Sequence, residues 1–121
     1  MQQQDTKQCN THRYWAGQLA EAGLIGIVLS QSPELVAPHG SSEPIFGTNP
    51  IGVGVPADGG PLVLDMATSA IAYYALVEHS RAGLPVPPDV GYSREGAATT
   101  DPAAILDGGA IRSFDRCAAG S

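Results

Sequence analysis

Residues 51–65 constrain the fold more than any other stretch of the chain. Ile51, Val53 and Val55 alternate with Gly52 and Gly54. Period-two alternation marks a half-buried strand. Here one face carries no side chains, so another backbone or a ligand can approach it closely. Asp58-Gly59-Gly60 is a strong turn signal. The chain returns as a second apolar strand from Pro61, so 51–56 and 61–65 read as an antiparallel hairpin with a short connection.

Around this hairpin, residues 35–69 mix glycine, proline and small polar residues with short apolar runs. Strand ends of that kind present backbone groups to a ligand. Residues 1–8 and 112–121 show no comparable order, and the contrast points to a piece of a larger protein. Upstream, Thr11 can cap a helix running to about Ala22, with Tyr14, Trp15, Leu19 and Ala22 near helical spacing and Gly23 as its C-terminal stop. Leu24 to Leu29 is a continuous apolar run that reads as a buried strand. Residues 33–49 read mostly as loop, punctuated by Pro38, Gly40, Pro44 and Gly47. Thr68 or Ser69 is expected to cap a helix that reaches Arg81 and stops at Gly83 and the proline-rich stretch 85–88. Residues 89–98 read as an exposed excursion. Asp101-Pro102 opens a short helix, and no direction is legible after Ala110. The fold class read from these elements is α/β, in the α+β sense.

At 121 residues the chain accommodates one small domain. Charged residues make up only 15%, against a usual share of about a quarter. Few charges and many turns fit a segment that expects neighbours. The net charge is −6, and the basic residues Lys7, Arg13, Arg81, Arg94, Arg112 and Arg116 form no cluster. That argues against a nucleic-acid partner or an anionic membrane surface. The apolar runs are far too short to span a bilayer. No basic-then-apolar leader opens the chain, and Cys9 and Cys117 stand isolated near its two ends, so both read as free thiols of a cytoplasmic protein.

Several side chains could carry chemistry. Asp65, at a strand end, can orient a ligand amide or hydroxyl, or can cap a helix start. Thr48 and Asn49 offer a hydroxyl and an amide to a carboxylate or a ribose, or form an Asn-Pro turn. His12, beside the first helix, can act as a general acid if a cleft forms there. His39 lies in a Gly- and Pro-rich loop within reach of a ligand, and His79 reads as structural. Neither GxGxxG nor a Walker lysine motif occurs, so a dinucleotide would not bind through a Rossmann crossover. No spacing of histidines and carboxylates suggests a metal, and neither cysteine has a base near it in sequence.

Five strings resemble one family: Val36-Ala37-Pro38-His39-Gly40, Phe46-Gly47-Thr48-Asn49-Pro50-Ile51, Leu64-Asp65-Met66-Ala67-Thr68-Ser69, Thr99-Thr100-Asp101-Pro102 and Gly108-Gly109-Ala110. They are similar to the malate/L-lactate dehydrogenase family of the second type, whose members include ureidoglycolate and sulfolactate oxidoreductases, and the resemblance covers roughly residues 10–116. The wording at His39-Gly40 and at Ala70-Ile71-Ala72 leans toward the branch that reduces piperideine- and pyrroline-2-carboxylate. The resemblance implies a non-Rossmann fold with a large, mostly antiparallel sheet and flanking helices, a homodimer, and hydride transfer between NADH or NADPH and a 2-oxo or cyclic 2-imino acid. It implies cofactor contacts at Ser32, Asp65, Met66 and Ala67, and a substrate contact at Thr48. Residues 10–111 would form a partial NAD(P)-binding domain between a disordered tail at 1–9 and a divergent tail at 112–121.

The chain departs from the family pattern at two places. The family carries Asn-Ser-x-His-Phe before its first helix. Here Asn10-Thr11-His12-Arg13-Tyr14 puts the histidine one position early, with Arg13 in its slot. His12 is the candidate catalytic residue after a local shift. Toward the end, Ala118 stands where a Gly-Gly-x-Lys-Gly loop would place its lysine. The expectation is an enzyme fragment that is inactive alone and associates with itself or with complementary segments. The alternative is a noncatalytic interaction protein descended from a dehydrogenase.

Overall fold

The computed structural model describes residues 11–114. Cys9, Cys117 and Ala118 lie outside the described residues, and with them the thiol and lysine readings. The elements run α1 (Thr11–Glu21), β1 (Gly26–Leu29), β2 (Val36–Ala37), β3 (Ile51–Val55), β4 (Leu62–Met66), α2 (Tyr73–Ala82), β5 (Gly91–Tyr92), β6 (Ala98–Thr99), α3 (Pro102–Leu106) and β7 (Ala110–Arg112). They form a mixed α/β fold divided into two compact units. Residues 11–30 and 50–66 make the first, and 31–49 and 67–114 the second.

The first unit is α1 laid on an antiparallel sheet of order β1-β3-β4. The hairpin forms as its alternation requires, with Val55 opposite Leu62 and Ile51 opposite Met66. The glycine face of β3 is filled by another backbone: a Cβ at Gly54 would collide with the carbonyl of Ala16, and one at Gly52 would come within 2.9 Å of His12. Ala16 and Ala20 are buried at this seam. Small residues on both sides thus let the helix settle directly on the sheet. Gly23, at φ 81°, stops α1. Its N–H donates to Ala20 O at 3.0 Å and the Leu24 N–H donates to Leu19 O at 3.0 Å, the paired bonds of a left-handed C-terminal cap.

The strand at the Leu24–Leu29 run begins at Gly26, and it is not buried. Gly26 faces α1, whereas Ile27 and Leu29 are 63% and 67% exposed. A strand at the edge of a sheet covered on one face only buries every second residue, and a continuous apolar run cannot tell that from full burial.

The second unit holds a four-stranded sheet of order β2-β7-β5-β6. The β2–β7 pair is parallel and the others are antiparallel. Val36, Leu76, Val86, Val90, Ile105 and Ile111 form its core, with Leu35, Ile71 and Leu106 packed around them. α3 starts as expected: Asp101 Oδ1 accepts from the Ala103 N–H at 3.0 Å, with Pro102 in the first turn. Gly83, at φ 65°, closes α2.

Three expectations for this unit fail. α2 starts at Tyr73 with Ala72 as an extended N-cap that makes no side-chain bond. Thr68 and Ser69 spend their hydroxyls elsewhere, on the carbonyls of Thr48 and Asn49 and on that of Ile71. Residues 89–98 are not an exposed excursion: Val90 and Gly91 are buried, and β5 and β6 pair across a turn closed by Ser93 and Ala97. The chain keeps its direction after Ala110, because β7 lies inside the sheet between β2 and β5, with Ile111 1% exposed. Strands of two or three residues are too short to show a period.

Candidate functional site

In the first unit the candidate groups gather at the N-terminal end of α1. His12 stands in its first turn, with Nε2 2.9 Å from Ser30 Oγ. Ser30 follows β1, and its N–H donates to Pro50 O at 3.3 Å. The close seat of α1 on Gly52 sets where His12 can be. Asp65, near the end of β4, accepts from the Arg13 N–H at Oδ2, 3.1 Å away. This carboxylate satisfies one of the amides that a helix start leaves without a partner, and it complements the positive end of the helix dipole. Asp65 therefore caps a helix, but the one 52 residues earlier in the chain rather than the one that follows. Its Oδ1 is the oxygen that could meet a ligand. Met66 completes the strand end beside it.

The second unit holds a separate cluster of hydroxyls. Thr48 is 7% exposed. Its N–H donates to Ser32 Oγ at 2.8 Å, and the two hydroxyl oxygens lie 3.1 Å apart. The Ser32 N–H donates to Asn49 Oδ1 at 3.2 Å. Thr68 braces the loop from the other side, its N–H and hydroxyl both donating to Thr48 O, at 2.9 and 3.0 Å. Gly47 is required here because a Cβ would strike the Ser32 carbonyl. Asn49 turns the chain at φ 30°, a conformation Asn tolerates better than most residues. The Asn-Pro turn reading is therefore sound for Asn49, and its amide is used within the loop. Ala67 follows at the start of this unit's second segment.

Ser32 and Thr48 are thus in direct contact, and His12 and Asp65 share one helix end. His79 is structural, Nδ1 lying 2.8 Å from Ala75 O. Sequence reasoning missed Ser30 as the partner of His12 and Thr68 as the brace of Thr48, because each contact joins residues far apart in the chain. Every buried side-chain nitrogen and oxygen among the described residues has a partner. Among the described residues no group of three His, Cys, Asp or Glu could hold a metal, and no helix is long and apolar enough to cross a membrane.

This arrangement is a dehydrogenase-type α/β fold. It matches a solved dehydrogenase from Sinorhizobium meliloti with a TM-score of 0.80 and 46% identity, over 84% of this chain and 30% of that one. The solved delta1-piperideine-2-carboxylate reductase from Pseudomonas syringae pv. tomato matches with a TM-score of 0.78 and 45% identity, over 83% of this chain and 31% of that one. Residues 2–120 match the malate/L-lactate dehydrogenase family, and the chain belongs to that family. A curated relative, the delta(1)-pyrroline-2-carboxylate/delta(1)-piperideine-2-carboxylate reductase of Pseudomonas syringae pv. tomato, is 47% identical over 96 residues. That alignment takes in 78% of this chain and 28% of the relative, so the chain spans under a third of such a relative's length. The family expected from the five motifs is the one found, and the lean toward cyclic imino acids agrees with these relatives.

Proposed function

We propose that the chain is part of an NAD- or NADP-dependent oxidoreductase that reduces a small 2-oxo or cyclic 2-imino acid, with the cyclic imino acid favoured. The observation that carries this reading is the 47% identity to a cyclic imino acid reductase over 78% of the chain. Residues 10–111 supply part of the dinucleotide-binding domain of a cytoplasmic homodimer that takes neither nucleic acid nor membrane as partner.

The chemistry of Asp65 suits a dinucleotide. Asp65 keeps Oδ1 for a ribose hydroxyl or an amide, because Oδ2 is committed to α1. Met66 would add a contact beside Asp65, while the family resemblance assigns cofactor contacts to Ala67 and Ser32 and a substrate contact to Thr48, all three in the second unit. A bound reduced nicotinamide supplies the hydride. The other requirement of the reduction is a proton on the substrate oxygen or nitrogen. His12 Nε2, held against the Ser30 hydroxyl, is the group assigned to deliver it.

By itself this chain is expected to turn over negligibly, since it spans under a third of such a relative's length and the family's histidine is replaced at its own position by Arg13, with His12 one position early. The check is NADH or NADPH oxidation with piperideine-2-carboxylate, pyruvate and 2-oxosuccinate. Turnover of about 1 per second or faster, the low end of ordinary enzymes, would overturn the inactivity.

One observation favours a second reading, a noncatalytic protein that associates with itself. The sheet face opposite α1 is apolar throughout: Leu62 and Leu64 on it are 67% and 52% exposed, and Ile27 and Leu29 lie on the same face across β3. An open apolar face of this kind marks an association surface. Sedimentation velocity should show assembly at about 100 µM chain, and Leu62→Gln with Leu64→Gln should shift it toward monomer. A monomeric parent chain at that concentration, or assembly untouched by the double substitution, would remove this reading.

A further inference from the structure

A cavity of about 180 Å3 opens in the second unit, lined by Pro38, His39, Gly40, Tyr92, Arg112 and Ser113 among others. At about 30 Å3 per water it equals about six waters, far below the roughly 300–1,000 Å3 of pockets that enclose larger ligands. Only a small molecule fits. None of these residues belongs to the candidate site described above.

The wall is chemically specific. Arg112 ends β7 with its guanidinium 5.7 Å from the centroid of the Tyr92 ring. The ring restrains that planar group by a cation–π contact. Arg112 Nη1 lies 3.3 Å from Asp89 Oδ1, and the Asp89 side chain is 81% exposed. One of five guanidinium N–H groups is thus engaged by a weakly held surface partner. His39 brings an imidazole and Ser113 a hydroxyl to the same cavity. The loop carrying His39 is shaped by a turn, with the Ser41 N–H donating to Pro38 O at 3.1 Å and Gly40 at φ 82°.

We propose that this cavity binds a small monocarboxylate, with both oxygens on the Arg112 fork and His39 and Ser113 as flanking polar contacts. A planar fork matches a carboxylate in two parallel hydrogen bonds. The charge count favours one negative charge over two: Arg112 is the single guanidinium among the lining residues, and its attraction only doubles for a dianion while the cost of taking that dianion out of water rises about fourfold. The site is independent of hydride transfer and needs no nicotinamide.

The test is ligand-observed saturation-transfer NMR on the full chain with pyruvate as probe, at constant ionic strength and without cofactor. A Kd of about 1–10 mM is expected. Asp89→Asn removes the competing charge, keeps a residue that tolerates the φ of 64° at this position, and should tighten pyruvate about threefold. Arg112→Gln should weaken it at least about tenfold. Phosphate should displace pyruvate only at higher concentration than acetate does.

The proposal is overturned if pyruvate gives no saturable signal, if phosphate displaces it more readily than acetate, or if Asp89→Asn fails to tighten binding. Unchanged affinity in a folded Arg112→Gln variant overturns it as well. Should Arg112→Gln fail to fold, Asp89→Asn decides alone, since that exposed side chain is not part of the core.

Discussion

Gly54→Val is expected to unfold the first unit. The new Cβ would land on the Ala16 carbonyl, with the Ala16 carbon at 2.6 Å and Ala20 Cβ at 3.3 Å. These are mostly backbone atoms of α1, so no rotamer change relieves the clash and the helix must lift off the sheet. Lifting it exposes Ala16 and Ala20 and pulls the His12 turn away from Gly52. Inserting volume into a tight core costs about 1–3 kcal/mol when side chains can adjust, and a loss above about 3 kcal/mol is expected where backbone must move. Trp15 is the chain's single tryptophan and lies on α1, so its fluorescence reports this unit directly. The control is Gly17→Ala, whose Cβ would meet only Val63 at an ordinary 3.7 Å and which should gain up to about 1 kcal/mol from helix propensity. If Gly54→Val unfolds at the parent's denaturant midpoint, the close helix–strand packing described above is wrong.

Leu76→Ala should cost the second unit about 2–5 kcal/mol. Leu76 is 1% exposed and among the largest fully buried side chains described. It is the residue through which α2 enters the cluster of Val36, Val86, Val90, Ile105 and Ile111. Truncation removes its transfer free energy and leaves a cavity that β2 and β7, fixed by their ladder, cannot collapse to fill. A domain of this size holds only about 5–15 kcal/mol in total, so the variant should be largely unfolded at modest urea. Far-UV circular dichroism and amide exchange in α2 and β7 would register it. A loss below about 0.5 kcal/mol would mean that Leu76 is not at the centre of this core.

The contrast between these two positions shows what could be read in advance. Gly54 is conspicuous in the sequence because strict alternation with valine and isoleucine leaves a bare face, and the inference that a backbone or a ligand approaches it was available from pattern alone, while the structure decided for the backbone of α1. Leu76 sits in a helix whose start the sequence misplaced, since Thr68 and Ser69 look like caps but bond to distant or non-helical carbonyls. The α1 stop at Gly23, the hairpin and the Asp101 cap were legible because each rests on neighbours within a few residues. β5, β6 and β7 were not, because strands this short take their identity from partners 6 to 75 residues away.

The candidate site divides along the same line. The chemistry of Asp65, Thr48, Ser32 and His12 was visible as residue types at strand ends and loops. That Asp65 serves α1, that Ser30 meets His12, and that Thr68 holds Thr48 depends on contacts spanning 18 to 52 residues. So the sequence by itself determined the family, the α/β class and the local turns and caps, since motifs and backbone preferences act over short range. Only the tertiary structure decided the division into two units, the exposed face of the first sheet and the partner of each polar group. Those follow from which distant segments pack together, and a hydrogen bond or a buried face exists only once they have met.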